Sequence, residues 1–216
     1  IARSFKATAK REVASVSPAP KELASYLALT QAKGARLTQF YTESERYLDQ
    51  VKDARFQMEL LKERFALYQQ AGWQKKLLSF GYSNLGKLEA QDRKPYLEDM
   101  RVALQTGKLW KDADKLMKQV SLAGIEGTSL APFLATYGRA QSELSDCRGA
   151  VDSFEAALKA APSLADKTQV QFRLGKCYLR IRNKEKAIEM WKAAVEAKDP
   201  LWSELAANEL KLTESP

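Results

Sequence analysis

Histidine is absent from all 216 residues of this chain. Its absence removes the commonest general base and the commonest metal ligand together. Only two cysteines occur, Cys147 and Cys177, and they form no C-x-x-C pair. Two thiols without histidine cannot complete a four-ligand structural zinc site. Each reads either as a small buried apolar residue or as half of a disulfide, which would need Cα atoms within about 7 Å. No apolar run approaches the roughly 20 residues that cross a bilayer. Strand-type alternation is almost missing, so a sheet is not expected. No nucleophile elbow, phosphate loop or dinucleotide fingerprint occurs, and Gly81, Gly86 and Gly107 are too widely spaced to cradle a phosphate. The chain is therefore expected to be neither an enzyme nor a holder of metal or cofactor.

What the chain does have is helical periodicity, clearest from Gln169 to Leu201. Leu174, Tyr178 and Ile181 recur at helical spacing, as do Ala187, Trp191, Ala194 and Val195. Arg182-Asn183-Lys184 supplies a polar turn between the two stripes, and Asp199-Pro200 closes the unit. Gly175 and Ala187 are small where the two helices must cross, which lets backbones approach to about 8–10 Å. Tyr178 and Trp191 fill the space beyond that crossing. The pattern returns 37 residues earlier, with Gly138 in the place of Gly175, Ala150 in that of Ala187, Phe154 in that of Trp191, and Pro162 closing. A further 37 residues back, Leu97, Met100, Leu104, Ala113, Met117 and Val120 take the same slots, although Arg101 replaces the glycine and no proline closes the unit.

Leu-Gly-x-x-Tyr, then a small residue four before a large aromatic, then proline, resembles the tetratricopeptide repeat, at a period slightly above the usual 34 or so. The resemblance covers residues 94–201 well and the earlier half by analogy. It implies an all-α, right-handed solenoid of about six helix hairpins. Residues 92–200 are the repeats, 1–91 a divergent helical-hairpin region, and 201–214 a C-terminal helix. That last helix, with Leu201, Trp202, Leu205, Ala206, Leu210 and Leu212, either caps the array or begins a truncated further repeat.

Before residue 92 the periodicity predicts helices over 21–33 and 37–51, stopped and joined at Gly34. It also predicts a long helix over 54–70 with Phe56, Leu60, Leu61, Phe65 and Tyr68 on one face, and a returning helix from Trp73 towards Leu88. Residues 1–15 form a basic, weakly amphipathic segment ended by Ser17-Pro18-Ala19-Pro20. Asp92 or a neighbour reads as the cap of the next helix, with Pro95 in its first turn. A hinge between halves is expected at Gln91–Pro95 or at Gly124–Ser129. The start at Ile1 leans the localisation towards the periplasm or cell envelope.

The formal charge is +8, from 35 Lys and Arg against 27 Asp and Glu. In a stack of hairpins the first helices line the concave side. On that side the expected groove residues are Phe172, Arg173, Lys176, Leu179 and Arg180, with Arg139 at the place matching Lys176. Arg173, Lys176 and Arg180 form a basic stripe suited to an acidic or carboxylate-bearing peptide. The family's carboxylate clamp needs a Lys and Asn pair where this chain has Ala135 and Arg139, so that subclass is not implied. The expected partner is another protein, in a scaffold of the kind seen in bacterial cell-envelope machines. No small-molecule substrate is expected. Nucleic acid is disfavoured, because the aromatics fall in core slots, and end-to-end stacking into a homo-oligomer stays open.

Overall fold

The computed structural model describes residues 54–214. They fall into two compact units that part between Ala71 and Gly72. Every regular element among the described residues is helical. The helices expected over 21–33 and 37–51 lie outside the described residues, as does the opening segment.

The described part of the first unit is one helix, α1 (Ala54–Gln70), over the span that the apolar period predicts. Leu60, Leu61, Phe65, Leu67 and Tyr68 form its buried face. Arg64 is buried among them, one turn before Tyr68. Its guanidinium donates to the Tyr68 hydroxyl and sits 5.3 Å from the centre of that ring. A charge is seldom buried without such a partner, and nothing in the apolar pattern marks Arg64 out.

The second unit begins with α2 (Gln74–Asn84) and α3 (Ala90–Thr106). Then come α4 (Ala113–Leu122), α5 (Ala131–Glu143), α6 (Cys147–Ala160), α7 (Lys167–Arg180), α8 (Lys184–Glu196) and α9 (Trp202–Glu214). Helices α3–α4, α5–α6 and α7–α8 are the three hairpins. Each second helix also packs on the first helix of the next hairpin, and successive first helices touch directly: α3 on α5, α5 on α7, α7 on α9. The first helices thus make one continuous wall.

The 37-residue step is written into the turns as well as the side chains. Lys108, Ser145 and Arg182, each 37 apart, have φ of 51°, 69° and 65°. Immediately after them Leu109, Asp146 and Asn183 donate backbone N–H bonds to Leu104, Gln141 and Tyr178, at 2.9, 2.8 and 2.9 Å. One left-handed residue plus one bond back to the last helical turn is a Schellman-type stop. Three copies show that the α3–α4 hairpin has the same turn as its neighbours, despite its weaker match in sequence.

The difference lies one residue on. Asp146 accepts the Gly149 N–H at 3.0 Å and Asn183 accepts the Lys186 N–H at 3.2 Å, so α6 and α8 start at once. Leu109, at the matching place, has no side chain that can accept. A 3₁₀ turn (Trp110–Asp112) intervenes, and α4 begins only at Ala113.

Two expectations need correction. Helix α3 starts at Ala90, so Pro95 lies inside it and Gln91–Pro95 is no connector. Pro95 leaves the Gln91 carbonyl without the N–H that would otherwise bond to it. Helix α8 ends at Glu196, with Lys198 left-handed at φ 55°, rather than being stopped by Pro200. Asp199 instead turns to α9, accepting the N–H groups of Leu201 and Trp202 at 3.0 and 2.8 Å. Both cysteines are buried with free thiols, and burial pushes the Cys177 thiol up to about 11.

Tyrosines lock hairpin to hairpin. The Tyr137 hydroxyl of α5 donates to Asp114 of α4 at 2.6 Å, and that bond, helped by burial, pushes its pKa from 10.0 to about 12. Burial, reinforced by the bond to Glu155 of α6, raises that of Tyr178, and burial beside Asp112 raises that of Tyr82. Each phenol holds its proton more tightly folded than unfolded. The stability they contribute is therefore intact below pH 10 and is lost as pH rises through about 12. The melting temperature of the chain should be level with respect to these groups up to about pH 9.5 and fall beyond pH 10. Tyr137→Phe should make the fall shallower, and an unchanged alkaline slope in that variant would remove Tyr137 from the account.

Candidate partner-binding groove

The wall exists because its helices can sit close to their partners. A Cβ on Gly138 would lie 2.8 Å from the Phe154 ring, and one on Gly175 only 2.4 Å from Nε1 of Trp191. Ala150, Ala187, Phe154 and Trp191 have no exposed surface, and Tyr178 is buried. The Trp191 indole N–H is satisfied by the Phe172 carbonyl at 3.1 Å. A third close crossing escaped the sequence pattern: a Cβ on Gly81 would stand 2.4 Å from Sδ of Met100, where α2 meets α3. No aromatic marks that site, since Met100 does the filling.

Polar side chains close the seams of the wall. Between α3 and α5, Arg101 Nη1 and Gln105 Nε2 both donate to the Thr136 hydroxyl, at 3.3 and 2.8 Å. Arg101, sitting in the slot where the other hairpins have glycine, is held by Glu98 at 2.9 Å. Between α5 and α7, Arg173 pairs with Glu143 at 3.2 Å, and Cys177 donates to the Ser142 hydroxyl at 3.4 Å. Between α7 and α9, Lys176 pairs with Glu209 at 2.8 Å.

The expected groove residues therefore separate into four groups. Phe172 is not on the open wall: it is buried, its ring centre 5.4 Å from that of Trp202. The reason is α9, which lies across the last hairpin and converts a groove position into core. Arg139 and Arg173, on adjacent first helices, stay at the wall. The Arg139 guanidinium lies 5.1 Å from the centre of Trp110, and that of Arg173 lies 5.8 Å from Trp202. Both Nε atoms are buried with no hydrogen-bond partner among the described residues. Burial, and then the neighbouring charge of Arg173, lower the pKa of Arg139, while Glu143 and Asp166 oppose the shift. Lys176 turns towards α9. Leu179 and Arg180 are exposed at the far end, where Arg180 Nη1 reaches 3.9 Å from the Cys147 sulfur.

The stripe is thus not purely basic, since Glu143 and Glu209 cross it. Sequence spacing along α7 alone could not show this, because both carboxylates come from other helices. Trp110 and Trp202 were also missed as platforms. Trp110 lies in the 3₁₀ turn that no periodicity predicts.

Helix hairpins at a constant 37-residue step, nested through Gly138 on Phe154 and Gly175 on Trp191, settle the architecture. The fold is tetratricopeptide-like. Among solved structures the chain is similar to BtubC (BKLC) from P. vanneervenii, at 18% identity and a TM-score of 0.56, over 96% of this chain and 89% of that one. At that identity the likeness is one of fold. YrrB, described as a TPR protein with an unusual peptide-binding site, aligns at 16% identity and a TM-score of 0.43, over 78% of this chain and 97% of that one. Neither a protein-family model nor a curated protein matches the sequence. No helix among the described residues is long and apolar enough to cross a membrane.

Proposed function

We propose that the chain is a non-catalytic scaffold that holds a partner polypeptide along the wall of α3, α5 and α7, residues 92–200 supplying the repeats and 201–214 the cap. The observation that carries this reading is the Arg139–Arg173 pair. Two guanidinium groups on neighbouring helices each lie against a tryptophan, and each keeps an Nε without a partner among the described residues. Stacking restricts the side chains before any ligand arrives, so less entropy is lost on binding. Within the wall Glu143 is the carboxylate that pairs with Arg173. An acidic side chain of the partner, placed between the two arginines, would complete the set with charge-assisted bonds. Lys176, already held by Glu209, has a smaller share than its place in the stripe implied. A bacterial cell-envelope machine such as a motor, pilus or secretion system is the setting we propose, by analogy of fold.

The test is retention of matched synthetic peptides, acidic, neutral and basic, on the immobilised chain. The acidic set should be retained. Arg139→Glu with Arg173→Glu should weaken it by about a hundredfold at low salt, with the helical circular dichroism unchanged. Equal retention of neutral and acidic peptides would sink the reading. Retention of a polynucleotide with a steep salt dependence would replace it with nucleic-acid binding.

A further inference from the structure

Away from the wall, the turns of the last two hairpins enclose a cleft of about 610 Å³. Ser145, Asp146, Cys147 and Arg148 line one side, at the α5–α6 turn and the first turn of α6; Arg180 and Arg182 line the other, at the α7–α8 turn. We propose that this cleft binds a phosphate group.

The cleft is a feature of the stack, and its chemistry is a feature of this hairpin. A notch in the same register, two 37-residue steps earlier, is lined by Trp73, Lys76, Gly107 and Leu109 and holds about 340 Å³. There the Lys76 ammonium lies 4.2 Å from the centre of the Trp73 ring. In the later cleft no ring among the described residues lies against the cations. Arg148 lines it on one side and Arg180 and Arg182 on the other, and none of them forms an ion pair among the described residues. The carboxylate that lines it, Asp146, accepts the Gly149 N–H as the cap of α6. Three cations against one carboxylate leave a net charge of +2 on the lining.

Like charges gathered at one notch repel, so the arrangement favours an anion that can neutralise more than one of them. A carboxylate brings one charge and two oxygens. A phosphate monoester brings nearly two charges and three acceptor oxygens, which suits a cleft lined by three arginines. The first turn of α6 adds the positive end of a 14-residue helix to the same place. Arg180 Nη1 lies 3.9 Å from the sulfur of Cys147 on the opposite side of the cleft, and Arg182 is the left-handed residue of the α7–α8 turn. The volume is in the range of sites for small organic molecules, so the phosphate is carried on a larger body.

Two sources share that chemistry: a free phosphorylated compound and a phosphorylated side chain of a partner polypeptide. The experiment is an amide chemical-shift titration of the full chain with inorganic pyrophosphate and, separately, with a phosphoserine peptide and its unphosphorylated form. Shifts are expected at 145–148 and 180–182. Arg148→Gln with Arg182→Gln, both exposed and outside the Arg139–Arg173 pair, should weaken binding at least about tenfold without moving the melting temperature. Tighter binding of pyrophosphate would assign a soluble ligand, and tighter binding of the phosphopeptide a modified partner. No shift at these residues, the same shift in the double variant, or an equal response to chloride at matched ionic strength would each overturn the proposal. None of these results depends on whether the α3–α5–α7 wall holds an acidic peptide.

Discussion

Trp191→Ala is expected to destabilise the second unit by about 3–5 kcal/mol, the usual range for emptying a large aromatic site. Trp191 has no exposed surface, fills the space beside Gly175, and donates its indole N–H to the Phe172 carbonyl. Its loss opens a cavity and removes that hydrogen bond at once. Gly175→Ala tests the same contact from the other side and sets two effects against each other. Alanine favours a mid-helix position over glycine by about 1 kcal/mol. The new Cβ, however, would stand 2.4 Å from Nε1 of Trp191, and overpacking of that sort costs about 1–3 kcal/mol. Sterics should win, because the ring is held by its own hydrogen bond and cannot retreat freely. Gly86→Ala is the control: nothing lies within 4 Å of its Cβ position and its φ is ordinary, so it should be neutral or slightly stabilising. Chemical denaturation of the three variants decides the matter. A stabilised Gly175→Ala would mean that α7 and α8 are not nested as described.

Legibility divides along one line: what repeats within a helix can be read, and what joins separate helices cannot. The period placed α1 and the hairpins α5–α6 and α7–α8 because their apolar stripes and small residues are local patterns. It gave no start for α4, where the controlling fact is that Leu109 lacks the capping oxygen that Asp146 and Asn183 supply. It missed Gly81, because flexible Met100 stands in for the aromatic that identifies the other crossings. At the wall, the basic residues of α7 were legible as a stripe. The carboxylates that answer them, Glu143 and Glu209, lie on α5 and α9, while Trp110 lies in a 3₁₀ turn and Trp202 at the start of α9. Phe172 was misassigned for the same reason: whether it is groove or core depends on a helix 30 residues later.

That dependence makes α9 the site of the other large effect. A chain ended at Asp199 should lose about 3 kcal/mol or more from the α7–α8 hairpin, on the order of a hundredfold in amide exchange there. Helix α9 lies on both α7 and α8. It inserts Ala206 with no exposed surface, sets Trp202 against Phe172, and places Ser203 to donate to the Ala194 carbonyl at 2.7 Å. Its outer side carries Leu205 and Leu212, both exposed as is Leu201 just before it, so its stabilising contacts are made inward. Stability in a stacked array is close to a sum of nearest-neighbour terms. Removing the last interface should therefore speed exchange in α7 and α8 while leaving α3 near its original rate. Hydrogen exchange followed by mass spectrometry resolves the two regions. Uniform acceleration across the unit would show one cooperative block rather than a chain of neighbours, and no acceleration in α7 would show that Phe172 needs no cover.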